Sequence, residues 1–228
     1  MRRSTLIDVH TLQRVDPHAH AGELREPAAA RGVLGNERLT ALAGAALLIP
    51  LAVIGVTILR IHGLLWVHLF VGTLLVPPVL LKLATTLYRF ARYYTHNAAY
   101  RLRGAPPLAL RALGPAVALT TLIVFASGIV LMYTGPSERS TLLPIHKVSF
   151  IAWIAFTAVH VLAHLFEVRD NVAADVLGER IGARRLPGRE LRALAVGAAL
   201  VLGVGLAVIV IPEFSSWTGW SANFHGDH

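Results

Sequence analysis

Among the ionisable groups on the long apolar stretches of this 228-residue chain, four histidines and one lysine are of types and at depths that could do chemistry. Ionisable groups are rare at membrane depth, and their default reading is functional. His68 lies in WVHLFVG, His146 in LPIHKVSF, His160 and His164 in AVHVLAHL, and Lys82 follows the Pro77-Pro78 pair. An imidazole there can bind a metal through one ring nitrogen, relay a proton, or hydrogen-bond between helices. The chain has no cysteine, which removes disulfides, iron–sulfur clusters, thiolate ligation and covalent C-x-x-C-H haem attachment. Any metal chemistry therefore rests on histidine.

Spacing sharpens the choice. His146 and His160 are 14 residues apart, which on a helix is about 21 Å of rise and about four turns less 40°, so both point to nearly one side. His164 lies 18 residues from His146, about five full turns, and shares that azimuth more closely. One helix face thus carries two stacked ligand levels, the arrangement that two haems in opposite membrane halves require. Lys82 comes 14 residues after His68 and is level with His160. For His160 and His164 the alternatives are a ligand with a supporting partner, a quinone or proton site, or interhelical hydrogen bonding. For Lys82 they are an iron ligand or a charge paired to a propionate, quinone or carboxylate.

The elements that must position these groups are membrane helices. Only 15% of residues are charged, against about 25% in ordinary soluble domains, and 55% are hydrophobic, with a mean hydropathy of +0.60. Five stretches reach the length of roughly 20 residues that crosses a bilayer core: 39–59, 62–93, 112–133, 145–166 and 193–211. The expected fold is all-α, an integral membrane helical bundle with a four-helix core (39–167) and a fifth transmembrane helix (193–211). Around these lie an N-terminal arm (1–38), a basic loop (168–192) and a tail (212–228). Strand content should be near zero, and Pro77-Pro78 should kink the second span and leave the carbonyls near Thr73 and Leu74 to neighbours.

Lys and Arg fix an expected orientation. Seventeen fall in the arm and in the loops after spans two and four, against Arg60, Arg139 and Lys147 on the other side. This predicts a multi-pass plasma-membrane protein with a cytoplasmic N-terminus and an extracytoplasmic C-terminus. The net charge of +8 is thereby a topology signal, and no basic stripe with interleaved aromatics suggests nucleic acid. Trp217 and Trp220 in the tail suit a membrane face, and His225 and His228 are a weak metal signal. His62 reads as a turn residue, and His10, His18, His20 and His96 as solvated. Span five has no ionisable group and reads as a packing helix outside the histidine-bearing bundle.

HLFVG in span two, HKxSF opening span four and the 14-residue histidine spacing resemble the cytochrome b membrane subunits of the cytochrome b561, formate-dehydrogenase-gamma and nickel–iron hydrogenase type, over about 39–167. The resemblance implies a bundle with bis-histidine haem b, contacts to lipid and quinone, and a partner redox subunit. It assigns His68 and His146 to an outer haem and His160 to an inner one. The pattern is incomplete: where the family places the other inner ligand, near the start of span one, this chain has Asn36, Glu37, Arg38, Leu39 and Thr40. His96 lies 28 residues beyond His68, about 42 Å along a helix, too deep to substitute unless the helix breaks at the prolines.

Two function classes follow. One is an electron-transfer subunit of an oxidoreductase complex, not an enzyme alone, with one haem or two. A second haem would use His160 or His164, with Lys82 opposite or neutralising a propionate; in a one-haem protein the inner half would bind quinone. The other class is a non-redox membrane protein, a transporter with a histidine proton relay or a structural anchor. Transporters usually show internal repeats and interrupted helices in both halves; here only span two is interrupted.

Overall fold

The computed structural model describes residues 28–102, 108–177, 180–181, 184–185 and 187–218. Seven α-helices account for nearly all of it: α1 (Ala28–Leu59), α2 (Ile61–Leu74), α3 (Val76–Tyr94), α4 (Ala98–Leu102), α5 (Leu108–Tyr133), α6 (Pro136–Val176) and α7 (Arg189–Val210). A 3₁₀ turn, Ile211–Phe214, extends α7. The described strands are β1 (Arg180–Ile181) and β2 (Arg184–Arg185), an antiparallel pair between α6 and α7. The fold is an all-α bundle.

Five segments are long and apolar enough to cross a membrane: Arg31–Leu59, Ile61–Tyr94, Arg111–Tyr133, Ser137–Val176 and Arg189–Thr218. This is the organisation of a multi-pass membrane protein. Their outward faces are apolar, with Ile49, Leu162, Val201 and Ile209 exposed, a surface that suits hydrocarbon. Helix α1 starts well before residue 39, so 28–38 belong to the first helix and not to the arm.

Successive spans alternate in direction, which gives the bundle two ends. At one end the end of α5 meets the start of α6 and residues 214–217, where Trp217 Nε1 donates to Leu131 O at 3.1 Å. At the other the end of α6 meets the starts of α1 and α7 around Asp175. Helix α1 is central, packing on α2, α3, α6 and α7; α7 packs on α2 and α3; α5 pairs most closely with α6. One apolar core joins Leu47 and Ile54 of α1 to Leu75 and Val79 at the α2–α3 junction. A second joins Met132 of α5 to Val210 and Phe214. Span five is thus integrated into the bundle.

The second span breaks where the prolines dictate. Pro78 has no N–H to bond Leu74 O, so α2 ends at Leu74 and α3 begins at Val76, with Leu75 N–H donating to Val71 O at 3.0 Å across the joint. The freed Leu74 carbonyl faces Gly203 of α7 so closely that a Cβ there would lie 2.1 Å from the oxygen. The absence of a side chain at Gly203 is what lets α7 reach the break.

At the Asp175 end, Arg192 Nε donates to Asp175 Oδ1 and Oδ2 at 3.0 and 3.2 Å, and Arg192 Nη2 also bonds Oδ1. Arg38 Nη1 lies 3.7 Å from the same carboxylate and donates to Ala174 O at 3.3 Å. All three side chains are buried. Arg38 and Arg192, which a charge count treats as loop cations, are in fact a clamp joining α1, α6 and α7.

Candidate cofactor site

Helices α2 and α6 run in the same direction from the Trp217 end, yet they do not pack extensively on each other. Between them lies a cavity of about 480 Å³, almost wholly apolar, whose walls include His68, Gly72, Gly128, His146, Phe150 and Trp217. That volume falls within the roughly 300–1,000 Å³ of small-molecule and cofactor sites. The sequence places His68 and His146 at one level, and in the structure both rings line this one space.

Each ring is oriented by a hydroxyl from a neighbouring span. His68 Nδ1 is 2.9 Å from Thr57 Oγ1, and Thr57 Oγ1 donates its own proton to Ile54 O at 2.7 Å. His146 Nδ1 is 3.0 Å from Ser127 Oγ, which donates to Val124 O at 3.1 Å. A hydroxyl has one proton. Where that proton goes to the backbone carbonyl, the oxygen accepts from the imidazole and the ring hydrogen sits on Nδ1. Nε2 then keeps its lone pair, and the His146 ring also has a hydrogen bond with the backbone of Val124. This is the tautomer that a metal-binding histidine needs, with the second nitrogen held by an acceptor.

Glycines shape the space. A Cβ at Gly128 would stand 3.1 Å from His146 Cε1, so the imidazole lies where a side chain would otherwise be. Gly72, one turn beyond His68, has nothing within 4 Å of the corresponding position and opens onto the cavity.

The other candidates gather towards the Asp175 end. Lys82 Nζ donates to Thr40 O of α1 at 2.7 Å, and a Cβ at Gly44 would come within 3.0 Å of it. The His160 and His164 rings are 4.8 Å apart between centroids, and His164 Nδ1 is 2.9 Å from Glu167 Oε2. His160 is in electrostatic range of His164, Lys82 and Glu167. Asn36 is turned to Thr85 O at 3.2 Å, and Glu37 lies 3.8 Å from Arg89. The start of α1 therefore offers no imidazole to an inner iron and is tied to α3 instead. His96 is exposed in the turn after α3, at φ 60, away from this cluster, and His62 is exposed at the start of α2. Trp220 and His10, His18, His20, His225 and His228 lie outside the described residues.

Among the described residues no group of three or more His, Asp or Glu could enclose a bare metal ion. What the described residues bring together at the cavity is two imidazoles, His68 and His146. Thr57, Arg139 and Trp217 complete the surroundings without a local motif to single them out; the signal for Thr57 is that it and Thr40 are the hydroxyl residues of an otherwise apolar first span. No protein-family model, curated protein or solved structure matches this chain.

Proposed function

We propose that this protein is a membrane electron-transfer subunit that carries b-type haem between His68 and His146 and exchanges electrons between membrane quinone and a partner redox protein. The observation that carries the reading is a pair of imidazoles on separated parallel helices, each with a hydroxyl at Nδ1, bordering one apolar cavity. Bound there, haem would supply a one-electron couple. Thr57 and Ser127 fix ring orientation, the glycines permit a flat group to approach, and the apolar walls exclude water. The chain's own residues suggest no soluble substrate chemistry, so the activity belongs to a complex.

At the other end, the engaged amine of Lys82 and the His160–His164–Glu167 series favour a quinone and proton site over a second haem. The amine already donates to Thr40 O and lies against Gly44, and the titratable series extends from His160 to the exposed Glu167. A reduced-minus-oxidised spectrum of the purified protein, with haem quantified per polypeptide, is expected to give a low-spin b-type signal at a ratio near one. A ratio near two restores the second haem at His160 or His164. A protein without haem leaves the non-redox class, in which the same series would act as a proton relay.

In this reading the Trp217 end is extracytoplasmic and the Asp175 end cytoplasmic, following the basic-residue asymmetry. Alkaline phosphatase fused after residue 228 should be active and green fluorescent protein at the same point dark; the reverse pattern would invert the orientation.

A further inference from the structure

The second span runs from Ile61 to Tyr94, 34 residues, or about 51 Å of helix against the roughly 30 Å of a bilayer's hydrocarbon. Its excess must lie among headgroups. Along α3, towards the Asp175 end, the exposed side chains change in the order of a lipid leaflet: Leu80 and Leu87 first, then Tyr88, Phe90 and Tyr94, with Arg92 among the rings. Phe90 and Tyr94 lie 4.4 Å apart between centroids, and Tyr88 meets Tyr100 of α4 edge-on at 6.1 Å. That contact folds α4 back beside the end of α3 and carries Arg101 with it. The Arg92 guanidinium carbon is 6.0 Å from the centre of the Tyr88 ring and in electrostatic range of Tyr100. Leu102, next to Arg101, is 88% exposed, which suits a short helix resting on the hydrocarbon boundary.

The positive charge here is not balanced by the protein. Between Glu37 and Glu138 the sequence contains no Asp or Glu, and Glu37 is engaged by Arg89 at 3.8 Å. Arg92 and Arg101 are exposed, and among the described residues no carboxylate forms an ion pair with either. Arg169, on α6 towards the same end, differs in sitting 3.0 Å from Asp170. We propose that Arg92 and Arg101 bind the phosphate of an anionic lipid headgroup, with Tyr88, Phe90, Tyr94 and Leu102 bordering its acyl chains. Guanidinium groups meet phosphate oxygens through paired donors. An acidic protein face would match the charge but leave the exposed rings and Leu102 without apolar neighbours, and the sequence of apolar, aromatic and cationic side chains along α3 favours the lipid. The proposal is independent of what the cavity holds.

The test uses full-length protein stripped of lipid in a neutral detergent, then given equal amounts of phosphatidylglycerol and phosphatidylcholine with the same chains and read by native mass spectrometry. Wild type is expected to prefer phosphatidylglycerol about tenfold or more, and Arg92→Gln and Arg101→Gln should each lose about fivefold of that preference. Arg92→Lys should keep most of it and Arg169→Gln nearly all. Equal binding of the two lipids by wild type, or a full preference in the Arg92→Gln, Arg101→Gln double variant, would overturn the proposal. So would displacement of phosphatidylglycerol by excess inorganic phosphate, which would make this a free-anion site. If polyglutamate binds wild type and not the double variant while the lipids bind equally, the face docks an acidic protein and the lipid assignment is overturned. The wild-type comparison decides the matter should the double variant fail to fold.

Discussion

His68→Ala and His146→Ala are each expected to abolish the low-spin b-type spectrum, with haem content of the purified protein falling by about tenfold or more. Neither ring has a described substitute at its level: His62 is exposed at the start of α2, and His160 lies about 21 Å along the helix from His146. The supporting hydroxyls should behave differently. Under the proposed haem reading, Thr57→Val and Ser127→Ala would keep both imidazoles but remove the hydroxyl beside Nδ1, which should weaken haem binding by about 10- to 100-fold while preserving low-spin ligation. Optical spectra with pyridine haemochrome quantitation would separate the two classes. Full haem content in both alanine variants at positions 68 and 146 would falsify the axial assignment.

The second large effect concerns stability. Gly203→Ala should lower the unfolding midpoint of the detergent-solubilised protein by about 6 to 12 °C, corresponding to about 3 kcal/mol of overpacking. The reason is local and severe: the new Cβ would stand 2.1 Å from Leu74 O, and the obstructing atom is backbone at a proline break, which no rotamer change can move aside. Gly205→Ala is the matched control. Its Cβ meets nothing within 4 Å, and the gain in helix propensity, about 1 kcal/mol, should leave the midpoint unchanged or raised. Equal effects at the two positions would show that α7 does not depend on its close approach to the break.

The five spans and the shared level of His68 and His146 were legible because hydropathy and helical rise are local properties. So was the break at Pro77-Pro78, since proline's missing donor acts on its own segment. The partners were not legible. Nothing in the string pairs Gly203 with Leu74, or Asp175 with both Arg38 and Arg192. Span five looked peripheral because it lacks ionisable side chains, yet its small residues are what permit it to pack. The azimuth arithmetic linking His68 to Lys82 also presumed a continuous helix, and the joint at Leu75 resets the direction of everything after it. Lys82 consequently meets α1 at Thr40 and Gly44.

The separation of α2 from α6 gives the bundle the plan of a half-open book. Helix α1 is the spine, α5 and α6 form one cover, and α2, α3 and α7 form the other, with residues 211–217 as a clasp across one edge. A rigid disc held by one imidazole from each cover would act as a page glued to both. Ligand affinity and closure of the two covers would then be one thermodynamic quantity.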